Sequence, residues 1–178
     1  MNSTDEVETI TLGAGCFWCL DAIARRIEGI TSSRVGYAGD NKGYRPTYFN
    51  LHESDLPGNF VEAVELKFRP ELITLEDVLN LFFQSHDPTT PNQDGANFGP
   101  EYHSTIFYQD DDQKKRSLAY IEDLQKKFAR KIVTSLRLRD VFYEAEPEHQ
   151  DFYRNNTHVP YCRIIILPKL RKLGLQDD

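Results

Sequence analysis

The stretch Val7–Ile27, VETITLGAGCFWCLDAIARRI, reads as a strand, a glycine turn and a helix. Val7–Leu12 has the apolar alternation of a strand, and Gly13-Ala14-Gly15 reverses the chain. Cys16–Ile27 then carries apolar residues at helical spacing until Gly29 ends it. Ile30–Tyr37 reads as a second strand. Phe60–Phe68 alternates, with Val64, Leu66 and Phe68 on one face and Glu65 and Lys67 on the other. Thr74 with Asp77 three residues on is a short capping box for a helix bearing Leu75, Val78, Leu79, Phe82 and Phe83. Thr105–Tyr108 is a further strand. Asp110–Ala129 is an amphipathic helix with Leu118, Ile121, Leu124 and Phe128 inward. Ile132–Leu138 reads as a strand, Pro147–Asn155 as a short helix, and Cys162–Leu167 as an apolar strand ended by Pro168. Tyr37–Asn59 and Pro88–Pro100 are long loops, a length that usually marks function or mobility. The order β-α-β-β-α-β over Val7–Tyr108 suits a split βαβ, ferredoxin-like core. The expectation is an α+β, two-layer sandwich on a mixed sheet.

The chain has 178 residues, and neither a linker nor a repeat divides it. One domain is expected over 1–178, with a core at about 7–167 and a tail at 168–178. The net charge of −7 argues against a nucleic-acid binder and against docking on an anionic membrane. With 28% charged and 12% aromatic residues the chain is too apolar for disorder. No apolar run approaches the ~18 residues of a membrane span. The start lacks a basic region followed by an apolar one, so no secretory signal is read and a cytoplasmic protein is expected. Three cysteines, an odd number, suit that compartment and make a poor disulfide framework.

The chemistry concentrates at Gly15-Cys16-Phe17-Trp18-Cys19. A cysteine opening a helix faces unpaired N–H groups and the positive end of the macrodipole, which predicts a depressed thiol pKa and a good nucleophile. Phe17 and Trp18 cannot both face the core, so at least one ring walls the site. Cys19 lies one turn on, making a Cys-x-x-Cys redox pair or half a zinc site. Cys162, His149 and His158 could complete the zinc site, but their spacing forms no recognisable second half. Glu62 falls in phase with Val64, Leu66 and Phe68. Its carboxyl is either buried, which would raise its pKa and make it a proton donor, or a strand-end group still reaching water. Tyr48 and Tyr102 lie on the two loops, where their hydroxyls could bind one oxygen between them or simply pack. His86-Asp87 and His149-Gln150-Asp151 sit at helix ends, where capping explains them as well as acid–base work.

These residues resemble the A-type peptide-methionine sulfoxide reductases. The likeness runs from about Ile10 to about Cys162, anchored on Gly15-Cys16-Phe17-Trp18. It is supported by Gly36-Tyr37-Ala38-Gly39, Pro46-Thr47-Tyr48, Glu62-Ala63-Val64, His86-Asp87-Pro88-Thr89-Thr90, Tyr102, Phe142–Glu146, His149-Gln150-Asp151 and Tyr161-Cys162. The resemblance implies the same two-layer α+β fold. It implies that Cys16 attacks the sulfoxide sulfur, that Phe17 and Trp18 hold the S-methyl group, and that Glu62 protonates the oxygen with help from Tyr48 and Tyr102. A Cys16 sulfenic acid then condenses with a second thiol, and thioredoxin reduces the disulfide. The substrate is the S epimer of methionine sulfoxide, free or in proteins. A monomer is expected, with neither cofactor nor metal. By position Cys162 is the resolving thiol; by proximity Cys19 is.

Three places depart from the family pattern. Asn97 stands where an aspartate that helps bind the substrate backbone is usual, His103 replaces an arginine, and Asn59-Phe60-Val61 replaces Gly-His-Ala. They bear on recognition more than on chemistry, and leave a catalytically weakened relative that binds oxidised peptides as an alternative. A Cys/His metal-binding module is another. A thioredoxin-like oxidoreductase fits the aromatic pair poorly.

Overall fold

The structure, a computed structural model, describes residues 6–53 and 56–175. The outer ends of the expected 1–178 domain, residues 1–5 and 176–178, lie outside the described residues. Strand β1 (Glu8–Gly13) leads into helix α1 (Phe17–Ala24) and strands β2 (Ile30–Gly39) and β3 (Val61–Phe68). Helix α2 (Leu75–Ser85), a small hairpin of β4 (Gln93–Asp94) and β5 (Asn97–Phe98), and strand β6 (Thr105–Tyr108) follow. Helix α3 (Asp111–Gln125), strands β7 (Ser135–Leu138) and β8 (Val141–Glu144), and helices α4 (Phe152–Asn155) and α5 (Leu167–Lys172) complete the chain. Among the described residues no helix is long and apolar enough to cross a membrane.

The main sheet has the order β7-β6-β1-β3-β2-β8. β3 lies antiparallel between β1 and β2, β6 is antiparallel to β1, and β8 to β2. Only the edge pair β6–β7 is parallel, so the sheet is mixed and the fold α+β. One face packs Ile10, Leu12, Val35, Val64, Leu66, Phe68 and Ile106 against Phe17 and Leu20 of α1 and Leu75, Val78, Leu79 and Phe82 of α2. Burying a phenylalanine there contributes about 1.5–3 kcal/mol. The other face carries a smaller apolar cluster of Ala38, Val61, Ala63, Phe107 and Phe142, with Arg137 and Arg34 stacked on the two phenylalanines. The capping box forms as read: the Asp77 N–H donates to Thr74 Oγ1 and the Thr74 N–H to Asp77 Oδ2, both at 3.1 Å.

The C-terminal expectation needs correction. Cys162–Ile166 is a π-helical turn that runs directly into α5, not a strand. Pro168 is the second residue of α5, directly after the π-helical turn, so it lies within a helical run instead of ending a strand. α1 ends three residues early, at Ala24, and Gly29 turns the chain with φ +93°. The expected helix at Pro147–Asn155 is broken by Asp151 at φ +50° into a 3₁₀ turn (Pro147–His149) and α4. β8 and the hairpin β4–β5 have no counterpart among the expected strands.

Candidate active site

β1 delivers the chain to Gly15, whose φ of +72° suits glycine and whose missing side chain leaves room for Asp94. Cys16 is the residue flanking the start of α1, and it is 5% exposed. Two carboxylates come from far along the chain to the first amides of this helix. The Cys16 N–H donates to Asp94 Oδ2 at 3.2 Å, and the Phe17 N–H donates to Glu62 Oε2 at 3.1 Å. These acids take the N–H groups expected to steady a thiolate. The Cys16 thiol is therefore not depressed. Burial pushes it well above its ordinary value, with the neighbouring Cys19 and the charge of Glu62 adding to the rise.

Glu62 projects from β3 onto the helix-covered face and is 2% exposed. The strand-end alternative thus fails. Burial pushes its carboxyl up to about 8, against the stabilising Phe17 N–H and with the charges of Glu101, Cys19 and Asp94 adding to the rise. Tyr48 and Tyr102 are half-buried, and both hydroxyls are raised, first by burial and next by the charge of Glu62; Tyr48 reaches about 12. Each therefore stays a hydrogen-bond donor at neutral pH.

The aromatic pair divides as sequence parity requires. Phe17 is 1% exposed and belongs to the core, beneath the Tyr48 ring at 6.2 Å. Trp18 is the partly exposed wall. It stacks on Phe152 with centroids 3.8 Å apart, and its Nε1–H donates to His149 Nδ1 at 3.2 Å. His149 in turn packs on Tyr48 at 4.4 Å. The Tyr48 backbone N–H donates to Glu146 Oε1 at 3.0 Å, and Glu146 Oε2 accepts from the Tyr37 hydroxyl at 2.6 Å. His149-Gln150-Asp151 is thereby explained as scaffold: Gln150 exchanges hydrogen bonds with the Val35 N–H and C=O, extending the edge of β2. His86 is also structural. Its two ring nitrogens meet the Phe82 carbonyl and Ser104 Oγ, and burial drops its pKa to about 4.

Cys16, Cys19 and Cys162 are free thiols packed in one apolar cluster with Ile23, Tyr153, Ile166 and Leu170. Cys162 is fully buried, and burial raises its thiol. Cys19 goes the other way: the hydrogen bond from Cys16 lowers it, against burial, with Lys169 assisting. Asn97 on β5 gives its Nδ2–H to the Tyr161 hydroxyl at 3.2 Å, and that hydroxyl lies 4.0 Å from Cys19 Sγ. His158 is exposed, and among the described residues no group of three or more His, Cys, Asp or Glu side chains could hold a metal ion.

Asp94, Lys169 and Tyr161 are functional neighbours that the sequence reading does not single out. Asp94-Gly95 is a hairpin signal that could draw Asp94 out of its loop. Tyr161 enters only as part of the Tyr161-Cys162 match. Leu167, Leu170 and Leu173 repeat every three residues, a helical signal for this segment, but only the tertiary packing brings it to the cysteines.

The model of the family described as peptide methionine sulfoxide reductase matches residues 8–177. The chain belongs to this family. The peptide methionine sulfoxide reductase MsrA of Sulfolobus acidocaldarius is 42% identical over 93% of each chain. The fold matches reduced Mxr1 from Saccharomyces cerevisiae with a TM-score of 0.81 at 30% identity, covering 91% of this chain and 92% of that one. A structure of Mxr1 in complex with Trx2 matches with a TM-score of 0.59 at 26% identity, over 85% and 88% of the two chains. Family membership favours the reductase over a metal-binding module.

Proposed function

We propose that this chain reduces the S epimer of methionine sulfoxide, free or in proteins, to methionine, with Cys16 as nucleophile and Glu62 as acid. The observation that carries the reading is the hydrogen bond from the Phe17 N–H to Glu62. It anchors a buried carboxyl beside the backbone of the nucleophile. That bond occupies one carboxyl oxygen, so the proton resides on the other. Sulfoxide sulfur is a poor electrophile until its oxygen is protonated or strongly hydrogen-bonded. Glu62 supplies that proton, and the Tyr48 and Tyr102 hydroxyls donate to the same oxygen as it gains charge. Cys16 sulfur attacks the sulfoxide sulfur as its proton passes to the Glu62 carboxylate. The hydroxyl then moves from the substrate sulfur to Cys16 sulfur as the transient S–S bond breaks, so methionine leaves and Cys16 keeps the oxygen as a sulfenic acid. Trp18 walls the S-methyl group, with Phe17 as the floor behind it, and Asn97 borders the backbone of the substrate.

Cys19 then closes a disulfide with Cys16. It sits one helical turn away with its thiol lowered by the hydrogen bond from Cys16, whereas burial raises the thiol of Cys162. Mass spectrometry of the singly oxidised protein names the partner: a Cys16–Cys19 bond supports this choice, and a Cys16–Cys162 bond reverses it. A thioredoxin fits as reductant, by analogy with the Mxr1–Trx2 complex. The reading places the activity in a single catalytic domain, acting as a cytoplasmic monomer. Three unpaired cysteines suit a reducing compartment. The antiparallel β6-β1-β3-β2 order supports a ferredoxin-like, split βαβ core beneath the site. The test is turnover of a single-epimer sulfoxide with dithiothreitol by the wild type and by Cys16→Ser. Turnover of the S epimer by the wild type alone is the expected result. Binding without turnover by the wild type would point to the weakened relative instead.

A further inference from the structure

α5 points a lysine into the cysteine cluster. Lys169 is three-quarters buried, although α5 lies at the surface of the domain. Its ammonium is 3.6 Å from Asp94 Oδ1, and the other oxygen of that carboxylate holds the Cys16 N–H. Its charge also acts on the Cys19 thiol of that cluster. Leu170, the next residue, packs in the same cluster as Cys16, Cys19 and Cys162. Burying an ammonium is costly and is tolerated where anions repay it. Asp94 is one such anion. The reduction of the sulfoxide described above uses neither Lys169 nor Cys19, so the second anion is wanted elsewhere in the cycle.

We propose that Lys169 is a positioning residue for the resolving step: its ammonium holds Cys19 as a thiolate directed at the oxidised Cys16. The proposal rests on the reading that Cys19 is the resolving thiol. In that step the Cys19 thiolate attacks Cys16 sulfur and an S–S bond forms. The S–O bond of the sulfenic acid breaks, and the oxygen leaves as hydroxide, which Glu62 protonates to water. Cys19 is oxidised and Cys16 is reduced from sulfenic acid to disulfide, so no outside oxidant is needed. The division of labour follows from the surroundings. Cys16 lies between Glu62 and Asp94, both acids, while Lys169 brings a positive charge to the cluster from α5. The groups facing Cys19 are Cys16 on its own helix, Glu62 from β3 and Asp94 from β4. From the C-terminal helical segment come Tyr161, Cys162 and Lys169. Lys169 is the cation among these groups. Its own pKa is raised, because Cys19, Asp94 and Cys16 outweigh the lowering effect of burial.

The test follows disulfide formation after a single turnover with methyl p-tolyl sulfoxide, by Trp18 fluorescence and by dimedone trapping of the sulfenic acid. Lys169→Met is expected to slow disulfide formation at pH 7 about tenfold or more and to move its pH profile to higher pH. The two rates then converge in alkali, and trapped sulfenic acid accumulates. Lys169→Arg keeps the charge and is expected to restore most of the rate. An unchanged rate and profile in Lys169→Met overturns the proposal, as does an equal slowing at every pH, which would mark a packing role. Cys19→Ser separates the two claims. If it still forms a disulfide at the wild-type rate, Cys19 is not the resolving thiol and the underlying reading fails. If it does not, the lysine variants alone decide.

Discussion

Glu62 and Glu65 stand three residues apart on β3, and the strand sends them to opposite faces of the sheet. Both are buried. Glu65 lies on the sparse face, where Arg34 pairs with one oxygen and Arg139 with the other at 2.5 Å. Burial alone would raise it, but the two guanidinium groups outweigh that and hold the carboxyl below its ordinary value. Glu62 lies on the helix-covered face with a backbone N–H as partner and acids for neighbours, and its carboxyl rises to about 8. Both carboxyls are closed to solvent, but Glu62 lies deeper in the protein, and burial is the largest cause of its rise. Depth and partners together decide whether a buried carboxyl is an anion that holds a sheet face together or an acid that holds a proton.

The largest way to break this contrast is to remove the proton at Glu62. Glu62→Gln keeps size and shape and leaves the Phe17 N–H an acceptor. It is expected to cut the rate of methionine release by about 10²–10⁴-fold, the range typical for a lost general acid. Stopped-flow release of methionine in a single turnover measures it. A loss below tenfold would mean that the two tyrosines alone activate the oxygen.

The same contrast predicts opposite pH responses. Glu62 has a folded pKa above its ordinary value, so the folded protein binds more protons than the unfolded chain between about 4.5 and about 8. Its contribution to stability is greatest below that window and is lost as pH rises through it. Methionine release should decline in step above about pH 8. Glu65 runs the other way: its folded pKa is lowered, so its contribution is present above the ordinary carboxylate value and is lost as pH falls through the folded one. Urea unfolding of the wild type and of Glu62→Gln from pH 5 to 9 tests the first half. The variant should lose the downward slope between pH 5 and 8, and an identical slope in both proteins would rule out a raised Glu62.

Much of this contrast is legible in the sequence, and the limits are physical. Strand parity alone sends Glu62 to the apolar face with Val64 and Leu66, and a period of two is a local property. The Thr74 capping box is also local, and it forms as read. The Cys16 thiol misleads for the opposite reason. Its helix end looks like an open anion site, but Glu62 and Asp94 occupy it from 45 and 78 residues beyond their partners. No local rule reports which distant side chain arrives first. The C-terminal segment misleads differently. Arg163-Ile164-Ile165-Ile166 has strand propensity, yet Ile164 is exposed while Cys162 and Ile166 are buried, a spacing of four that the tertiary packing imposes. With the segment taken for a strand ended at Pro168, Lys169 has no place near the cysteines.

A smaller effect is expected on the arginine-paired side. Glu65→Gln leaves Arg34 and Arg139 facing a neutral amide. Breaking a fully buried ion pair costs about 3–5 kcal/mol. Both arginines are partly open to water, so about 1–3 kcal/mol is expected here. Chemical denaturation reads the loss, and methionine release by the folded variant should stay within about twofold of wild type. A large drop in that rate, with stability retained, would show that the two faces of β3 are coupled and would undo the comparison.

The smallest effect sharpens the contrast at the rim of the site. Asn97 donates to the Tyr161 hydroxyl, which borders Cys19, and it lends no charge to the cleft. Asn97→Asp adds a carboxylate that can only accept. Tyr161 must turn its proton toward position 97 to keep the bond. Free methionine sulfoxide carries an α-ammonium group, and an exposed ion pair of about 0.5–1 kcal/mol corresponds to a two- to fivefold change in affinity. KM for the free amino acid should therefore fall by about that factor. An N-acetylated, C-amidated methionine sulfoxide has no ammonium, and its KM should stay where it is. Equal changes for both substrates would mean that position 97 acts through Tyr161 and the cysteines, not through the backbone of the substrate.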